Sequence, residues 1–190
     1  MTMNLWLARH AQPLIAAGIC YGATDVLADE VLTRTAAQSL ADVLPKDTVC
    51  RVSPLRRCQQ LAAVLADMRP DLRLDATTYT DIRLAEMAFG SYEGQPWSAI
   101  PKADIDAWIA DFGQHRFGGK ESANEVLERV SRALQDCREQ SDPDSNVLWI
   151  THAGVIRAVS LLAQGITQVD SATQWPREVP GFGEWVRVEI

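Results

Sequence analysis

Asn146-Val-Leu-Trp-Ile-Thr151 is a run of apolar and β-branched residues that ends directly at His152. Its length and composition predict a strand that is buried on both faces. Residues 153–164 follow at once and are apolar on nearly every side, which predicts a helix packed against a sheet. A buried strand that leads straight into such a helix is typical of an α/β fold with a mostly parallel sheet.

Strands and helices alternate along the rest of the chain. Asn4-Leu-Trp-Leu-Ala8 is a second apolar strand, and it leads directly into Arg9-His10. A hydroxyl side chain favours a helix start, and proline fits the first helical turn because no N–H is needed there. Helices are therefore predicted to begin at Thr33, Ser53-Pro54 and Ser122. Apolar runs predict further strands at 48–52, near 72–77 and, at the edge of the sheet, over 184–190.

The length of 190 residues fits a single domain that spans residues 1–190. Between about 90 and 119 the pattern is irregular and rich in aromatic residues, among them Trp97 and Trp108. We expect this segment to be an insertion that lies over one end of the sheet rather than a second domain.

The composition indicates in which compartment the protein works and which classes of partner are excluded. The four cysteines form no CxxC pair, so neither a disulfide framework nor a zinc site is predicted, and a reducing, cytoplasmic location fits best. The N-terminal apolar run ends at Arg9, which is too short for a signal peptide or a membrane span. A net charge of −7 argues against nucleic acid or an anionic membrane as a partner. These observations leave the oligomeric state open.

Two of the three histidines, His10 and His152, each follow a predicted buried strand. Because the carboxyl ends of parallel strands meet at one edge of a sheet, we expect the two rings to lie side by side. Arg9, and Arg56 or Arg57 in the helix after the second strand, would reach the same edge. Arginines, histidines and a helix N-terminus together favour an anion, and phosphate above all. The same cationic surroundings argue against a metal held by two histidines and a carboxylate.

Other phosphate chemistries match parts of the same sequence. Cys50 and Arg56 have the spacing of the cysteine-dependent phosphatase loop, but Pro54 lacks an N–H there and no glycine allows the loop to wrap a phosphate. A Walker A loop is excluded because Gly118-Gly-Lys120 follows no strand and is followed by glutamate. A non-catalytic phosphate-binding module remains an alternative from a different functional class.

Five motifs in order along the chain resemble the histidine phosphatase superfamily, which includes the cofactor-dependent phosphoglycerate mutases. They are Leu7-Ala-Arg-His-Ala11, Ser53-Pro-Leu-Arg-Arg-Cys58, Leu84-Ala-Glu86 with Phe89-Gly-Ser-Tyr-Glu-Gly94, Gly118-Gly-Lys-Glu-Ser122 and Ile150-Thr-His-Ala-Gly-Val-Ile-Arg157. The resemblance implies a three-layer α-β-α sandwich around a mostly parallel sheet with an edge strand. It also implies hydrolysis of a small-molecule phosphate monoester without a metal or other cofactor.

By this resemblance His10 attacks phosphorus and forms a phosphohistidine. Arg9, Arg57 and His152 bind the transferred group, with help from the backbone N–H of Ala153. The motif spacing selects Arg57 over Arg56. Glu86 is implied as the acid that protonates the leaving oxygen and then activates the water.

Gln12-Pro13, followed by Gly18-Ile-Cys-Tyr-Gly22 and Asp25, is similar to a run in the α-ribazole-5′-phosphate phosphatases of cobalamin synthesis. This similarity implies α-ribazole 5′-phosphate as the substrate, with a broad-specificity phosphatase of the same family as the alternative. One departure is Ala11, which stands where the motif has glycine or threonine. The residues expected to contact the substrate outside the phosphate are Gln12, Cys20, Tyr21, Gly22, Trp97 and Trp108.

Overall fold

The computed structural model describes residues 2–72, 74, 80–142 and 144–190. In these residues a four-stranded sheet has the order β2-β3-β1-β4. The first three strands in that order run parallel, and β4 pairs antiparallel with β1 at the edge. The strands are β1 (Asn4–Arg9), β2 (Val49–Val52), β3 (Asn146–Thr151) and β4 (Trp185–Glu189). The mostly parallel sheet and its edge strand are thus confirmed.

Helices cover both faces of this sheet. Alternate residues of β1 point to opposite sides: Leu5 and Leu7 join one apolar cluster, while Trp6 and Ala8 join the other. The first cluster includes residues of α4 and α5, and the second includes residues of α1 and α2. The helices are α1 (Glu30–Val43), α2 (Arg56–Met68), α3 (Lys102–Ala110), α4 (Ala123–Gln140) and α5 (Ala153–Ala163). The three layers are therefore confirmed.

Two helices begin at residues other than those predicted. The helix α1 starts at Glu30, three residues before Thr33, because the Asp29 carboxylate accepts the N–H of Leu32 at 2.9 Å and caps the helix. The helix α2 starts at Arg56, so Ser53 is not its N-cap. The Asp25 carboxylate caps it instead, by accepting the N–H of Arg56.

The start of α4 agrees with the sequence. Ser122 is the N-cap, and its hydroxyl and the Glu125 carboxylate exchange hydrogen bonds with each other's backbone N–H groups. The predicted strand near 72–77 lies mostly outside the described residues, which omit 73 and 75–79. No helix within the described ranges combines the length and apolarity that a membrane crossing requires.

The segment between 90 and 119 consists of α3, two short 3₁₀ turns and connecting loops. It is tied to the loop after β1, since Trp97 N donates to Gly18 O at 2.9 Å and Cys20 N donates to Gln95 O at 2.9 Å. Its aromatic rings pack on Phe117, which is fully buried. This packing fixes the aromatic rings beside the carboxyl end of the sheet.

Candidate active site

His10 and His152 meet at the carboxyl edge of the sheet. Arg9 and Thr151 are paired in the β1–β3 register, so the two histidines leave adjacent strands at the same level. Their ring centroids are 5.0 Å apart, and each ring is almost completely buried. The structure thus brings together two histidines that the sequence singled out although they lie far apart along the chain.

Hydrogen bonds fix the two ring nitrogens of His10 in different roles. Nδ1 lies 2.7 Å from the carbonyl oxygen of Ala11, which can only accept, so Nδ1 carries the proton. Nε2 is then the unprotonated nitrogen, and it accepts the Nε–H of Arg57 at 3.2 Å. Burial, and then the Arg57 charge, lower the pKa of His10 to about 3. The ring is therefore neutral at physiological pH, with a lone pair on Nε2.

Arg57, rather than Arg56, belongs to the site. Its side chain is fully buried, and its Nη1 and Nη2 donate to Thr24 O and Gly22 O, both at 2.7 Å. The Arg56 side chain is exposed. The guanidinium of Arg57 is thus held by backbone carbonyls on one side and contacts the His10 ring on the other.

The loop that supplies those carbonyls is itself held by two carboxylates. Glu93 accepts the N–H of Ala23 at 3.0 Å and the hydroxyl of Thr24 at 2.5 Å. Asp25 accepts the N–H of Arg56 at 2.7 Å and thereby caps α2 from 31 residues away. The sequence alone does not reveal the roles of these two carboxylates, although Glu93 and Asp25 both lie in the family-like motifs.

Gly22 is required in this loop by its close contacts. A Cβ there would lie 2.6 Å from the Met87 carbonyl oxygen and 2.7 Å from Glu93 Oε1. Its φ of +31° also lies in the region that L side chains rarely adopt. No other residue would allow the carbonyl of Gly22 to reach Arg57 in this conformation.

The ring of His152 contacts Ser53, which directly follows β2, and Cys58 of α2. Ser53 Oγ lies 2.7 Å from its Nε2, and Cys58 Sγ lies 3.4 Å from the same nitrogen. Burial, followed by the neighbouring His10 and Arg57, lowers the pKa of His152 well below its ordinary value. Ser53, which the sequence suggested as a helix cap, is instead a partner of this neutral ring.

Glu86 lies at the N-terminus of α5. Its carboxylate accepts the N–H of Gly154 at 3.1 Å and the N–H of Met87 at 2.9 Å. A Cβ at Gly154 would lie 2.2 Å from Glu86 Oε1, so the glycine of the motif makes room for the carboxylate. Ala153 also lines the neighbouring cleft. The N-terminus of α5 thus holds a carboxylate, that of Glu86.

A cleft of about 450 Å³ opens beside these residues. Its polar end is formed by Arg9, Tyr21 and Glu86, and burial lowers the pKa of Arg9. His10 lies behind this end, with 2% of its surface exposed. The cleft is lined by Arg9, Ile19, Tyr21, Gly22, Glu86, Met87, Phe89, Trp97, Trp108, Phe112, Ala153, Gly154, Arg157 and Trp175.

Four of the six residues expected to contact the substrate therefore line the cleft: Tyr21, Gly22, Trp97 and Trp108. Cys20 does not, because its side chain is fully buried against Ile100 and Phe117.

Gln12 does not line the cleft either. Its side chain is exposed, while its backbone carbonyl accepts the N–H of Asp29 at 2.8 Å. Trp175, an aromatic residue considered with Trp97 and Trp108 for substrate binding, also lines the cleft, and the structure adds Arg157, which was not among the predicted site residues.

Neither a cysteine-dependent phosphatase loop nor a metal site fits this geometry. Cys50 is fully buried within β2, burial raises the pKa of its thiol to about 12, and Arg56 points to solvent. The lone pair of His10 faces the Arg57 guanidinium, which would repel a metal cation. The donor set therefore suits an anion.

Comparison with known proteins points the same way. A family model described as "Histidine phosphatase superfamily (branch 1)" matches residues 5–178. The chain is 30% identical to "Putative phosphoserine phosphatase 2" of Hydrogenobacter thermophilus over 174 aligned residues. This alignment covers 86% of this chain and 79% of that protein.

Solved structures show the same fold. The native mycobacterial glucosyl-3-phosphoglycerate phosphatase Rv2419c superposes with a TM-score of 0.77 at 22% identity, covering 100% of this chain and 91% of that one. The crystal structure of TTHB049 from Thermus thermophilus gives a TM-score of 0.67 at 28% identity, covering 98% of this chain and 93% of that one. At 22% identity the first of these supports the fold alone.

Proposed function

The chain belongs to branch 1 of the histidine phosphatase superfamily and is a hydrolase of phosphate monoesters, and we propose that its nucleophile is Nε2 of His10. The observation that carries this proposal is the pair of contacts on the His10 ring. The Ala11 carbonyl holds the proton on Nδ1 at 2.7 Å, and burial keeps the ring neutral, so Nε2 is unprotonated at physiological pH. Its lone pair attacks phosphorus once the Nε–H of Arg57 turns from it to a phosphate oxygen.

Charge on the transferred phosphoryl group is stabilised by Arg57 and Arg9 in this proposal. The guanidinium of Arg57 is fixed by two carbonyls beside the attacking nitrogen, so only its Nε–H has to exchange its partner, from His10 Nε2 to a phosphate oxygen, when phosphate arrives. His152 contributes as a neutral donor. If the Ser53 hydroxyl donates to Nε2 of His152, the proton of that ring resides on Nδ1 and is available to a phosphate oxygen.

Glu86 is the proposed general acid. Its carboxylate occupies the N–H of Gly154, which is the anion-binding position at the start of α5. A phosphate that reaches His10 competes with Glu86 for the N–H of Gly154. Binding of the dianion therefore displaces the Glu86 carboxyl group from this position, and the displaced group is the one proposed to donate a proton to the leaving oxygen. The phosphohistidine is then hydrolysed by a water that Glu86 deprotonates.

For the substrate we propose α-ribazole 5′-phosphate. The cleft wall beyond the phosphate site is largely aromatic, with Trp97, Trp108 and Trp175 among its residues. A flat, apolar base could stack on such a surface, and stacking on an aromatic side chain contributes roughly 1–3 kcal/mol per base. That range corresponds to about fivefold to 150-fold in kcat/KM over an ester without a base.

Arg157 favours a second candidate, a phosphate ester that carries a carboxylate, such as phosphoserine. Its guanidinium lines the cleft and is held by one bond, from Nε to the Pro176 carbonyl at 2.7 Å. Burial lowers the pKa of Arg157, opposed by the Glu86 charge. A second anionic group on the leaving alcohol would pair with it. The similarity to the Hydrogenobacter thermophilus protein, whose name gives phosphoserine as the substrate, supports this candidate.

A comparison of two substrates and two variants separates these candidates. We expect measurable turnover of both esters by the wild type in the presence of a strong chelator, with kcat/KM about tenfold or more higher for α-ribazole 5′-phosphate. Trp108→Ala should remove that preference, whereas Arg157→Gln should lower kcat/KM for phosphoserine alone. Arg132→Gln, at an exposed ion pair with Glu128, is the control.

Each other outcome has a definite meaning. A higher kcat/KM for phosphoserine would contradict the ribazole assignment and favour the second candidate. Equal values would indicate a broad-specificity phosphatase. No turnover of either ester or of an aryl phosphate would favour a non-catalytic phosphate-binding module.

Two further parts of the proposal concern organisation. We infer that residues 1–190 form a single domain in which the segment 90–119 is an insertion over the active site; Trp97, Trp108 and Phe112 of that segment line the cleft. A cytoplasmic location is also proposed, and the free, buried thiols of all four cysteines are compatible with it.

A further inference from the structure

Phe182 lies against the phosphate-binding end of the site, although neither the sequence motifs nor the family match includes it. The match ends at residue 178. Cζ of Arg9 stands 3.9 Å from the centroid of the Phe182 ring, within cation–π distance. The same ring lies 5.5 Å from the ring of His10, centroid to centroid. One aromatic side chain therefore contacts both a proposed phosphate ligand and the proposed nucleophile.

The backbone around Phe182 is fixed to the strand that carries Arg9 and His10. Glu184 N donates to Gly181 O at 3.1 Å, which closes a tight turn with Phe182 at its second position. Gly183, the third residue of the turn, has a φ of +78° that favours glycine. Gly183 N donates to His10 O and Arg9 N donates to Glu184 O, both at 3.0 Å. The turn thus has little freedom to move away from the site.

Arg9 also has polar contacts, one of them a hydrogen bond with the Tyr21 side chain. Its Nη1 donates to the Pro180 carbonyl at 3.0 Å, and its Nε is buried without a hydrogen-bond partner in the described part of the chain. A guanidinium must present its planar fork in one orientation to bind two phosphate oxygens at once. The Pro180 carbonyl holds one end of that plane, and the Phe182 ring covers one of its faces.

We infer that Phe182 is a positioning residue: its ring holds the Arg9 guanidinium in the orientation that binds the phosphoryl group. This inference rests on the proposed function, because it assigns Arg9 to the phosphate. Since every phosphate ester presents the same group to Arg9, loss of the ring weakens the binding of all esters and of inorganic phosphate alike. The effect falls mainly on KM, because Arg9 contacts the phosphoryl group in the bound ester and in the transition state alike.

The test measures the affinity for inorganic phosphate by calorimetry, together with KM and kcat for two unrelated esters. Phe182→Leu keeps most of the volume but removes the aromatic face. We expect it to weaken phosphate binding about threefold to tenfold, the range of a partly buried cation–π contact, and to raise both KM values by the same factor. Phe182→Tyr, which retains the ring, should restore affinity to within about twofold.

Trp185→Leu is the matched control. It removes an aromatic ring from the same C-terminal segment, but that ring packs on Trp6 and not on Arg9. A lower melting temperature without a change in phosphate affinity is expected for this variant. Unchanged phosphate affinity in folded Phe182→Leu, or a rise in KM for one ester only, would overturn the assignment. A wild type that neither binds phosphate nor turns over esters would overturn the proposed function itself.

Discussion

Burial of His10 in its neutral form makes the stability of the protein depend on pH in a way that one substitution isolates. The ordinary pKa of 6.5 applies to His10 in the unfolded chain, and the pKa falls to about 3 in the folded protein. Between these values the unfolded chain binds a proton that the folded protein does not. His10 therefore leaves stability unchanged above pH 6.5, and the folded protein loses stability as the pH falls from 6.5 towards 3.

The size of the effect follows from the two pKa values. At about pH 7.5 His10 is neutral in both states and contributes no difference. A pH of about 5.0 lies roughly 1.5 units below the pKa of the unfolded histidine, which is then almost fully protonated, whereas the folded ring is still neutral. One unit corresponds to about 1.36 kcal/mol, so acidification from about pH 7.5 to 5.0 costs about 2 kcal/mol of unfolding free energy through His10.

Urea unfolding followed by tryptophan fluorescence, at both pH values, measures this difference. His10→Asn has no titrating group at this position, so its unfolding free energy should fall by about 2 kcal/mol less than that of the wild type over the same acidification. Cys50→Ala provides the control. Its thiol, whose pKa is about 12, is neutral at both values, so the cost of its removal should not depend on pH. A loss on acidification that is the same in wild type and His10→Asn would refute the argument that His10 is buried neutral.

Two further predictions address the supports of the site. Gly22→Ala should lower the unfolding free energy by about 1–3 kcal/mol in urea unfolding, because its Cβ would collide with a carbonyl oxygen at 2.6 Å. Gly94→Ala also adds a Cβ at positive φ but meets nothing within 4 Å, so an equal loss there would mean that φ alone matters at both positions. Ser53→Ala should lower kcat about tenfold with a small change in melting temperature, because His152 loses the hydroxyl at 2.7 Å. A kcat equal to that of the wild type would show that the hydroxyl does not position this ring.

The sheet and the meeting of the two histidines could be predicted because their signals are local. Apolar runs of strand length, each followed directly by a histidine, specify strands and their ends without reference to distant residues. The helix starts were less predictable. Ser53-Pro54 has the residue types of a cap, yet Asp25 caps that helix and Ser53 turns to His152. Because this carboxylate lies 31 residues away, the residues around the helix start contain no signal that predicts it.

The same reason explains the residues that sequence analysis missed or misplaced. Arg157 lies roughly one and a half helical turns from His152, and a helical wheel shows only that it shares a side with other residues, not that a cleft opens there. Phe182 lies between two glycines in a turn, a pattern found in many surface loops. Cys20, beside Tyr21 in the run similar to the ribazole phosphatases, belongs to an apolar cluster. Each of these placements depends on packing between segments distant in sequence.

The structure gives most residues of the run from Gly18 to Asp25 a task that does not involve the leaving group. Gly22 offers its carbonyl to Arg57, and Asp25 caps the helix that carries Arg57. Of the run, Ile19 and Tyr21 have side chains on the cleft. Any phosphatase that holds its second arginine in this way would need the glycine and the aspartate, whatever alcohol it releases. The run therefore supports the proposed phosphate site, and the choice of substrate depends on whether the aromatic wall or Arg157 contributes more to binding of the leaving group.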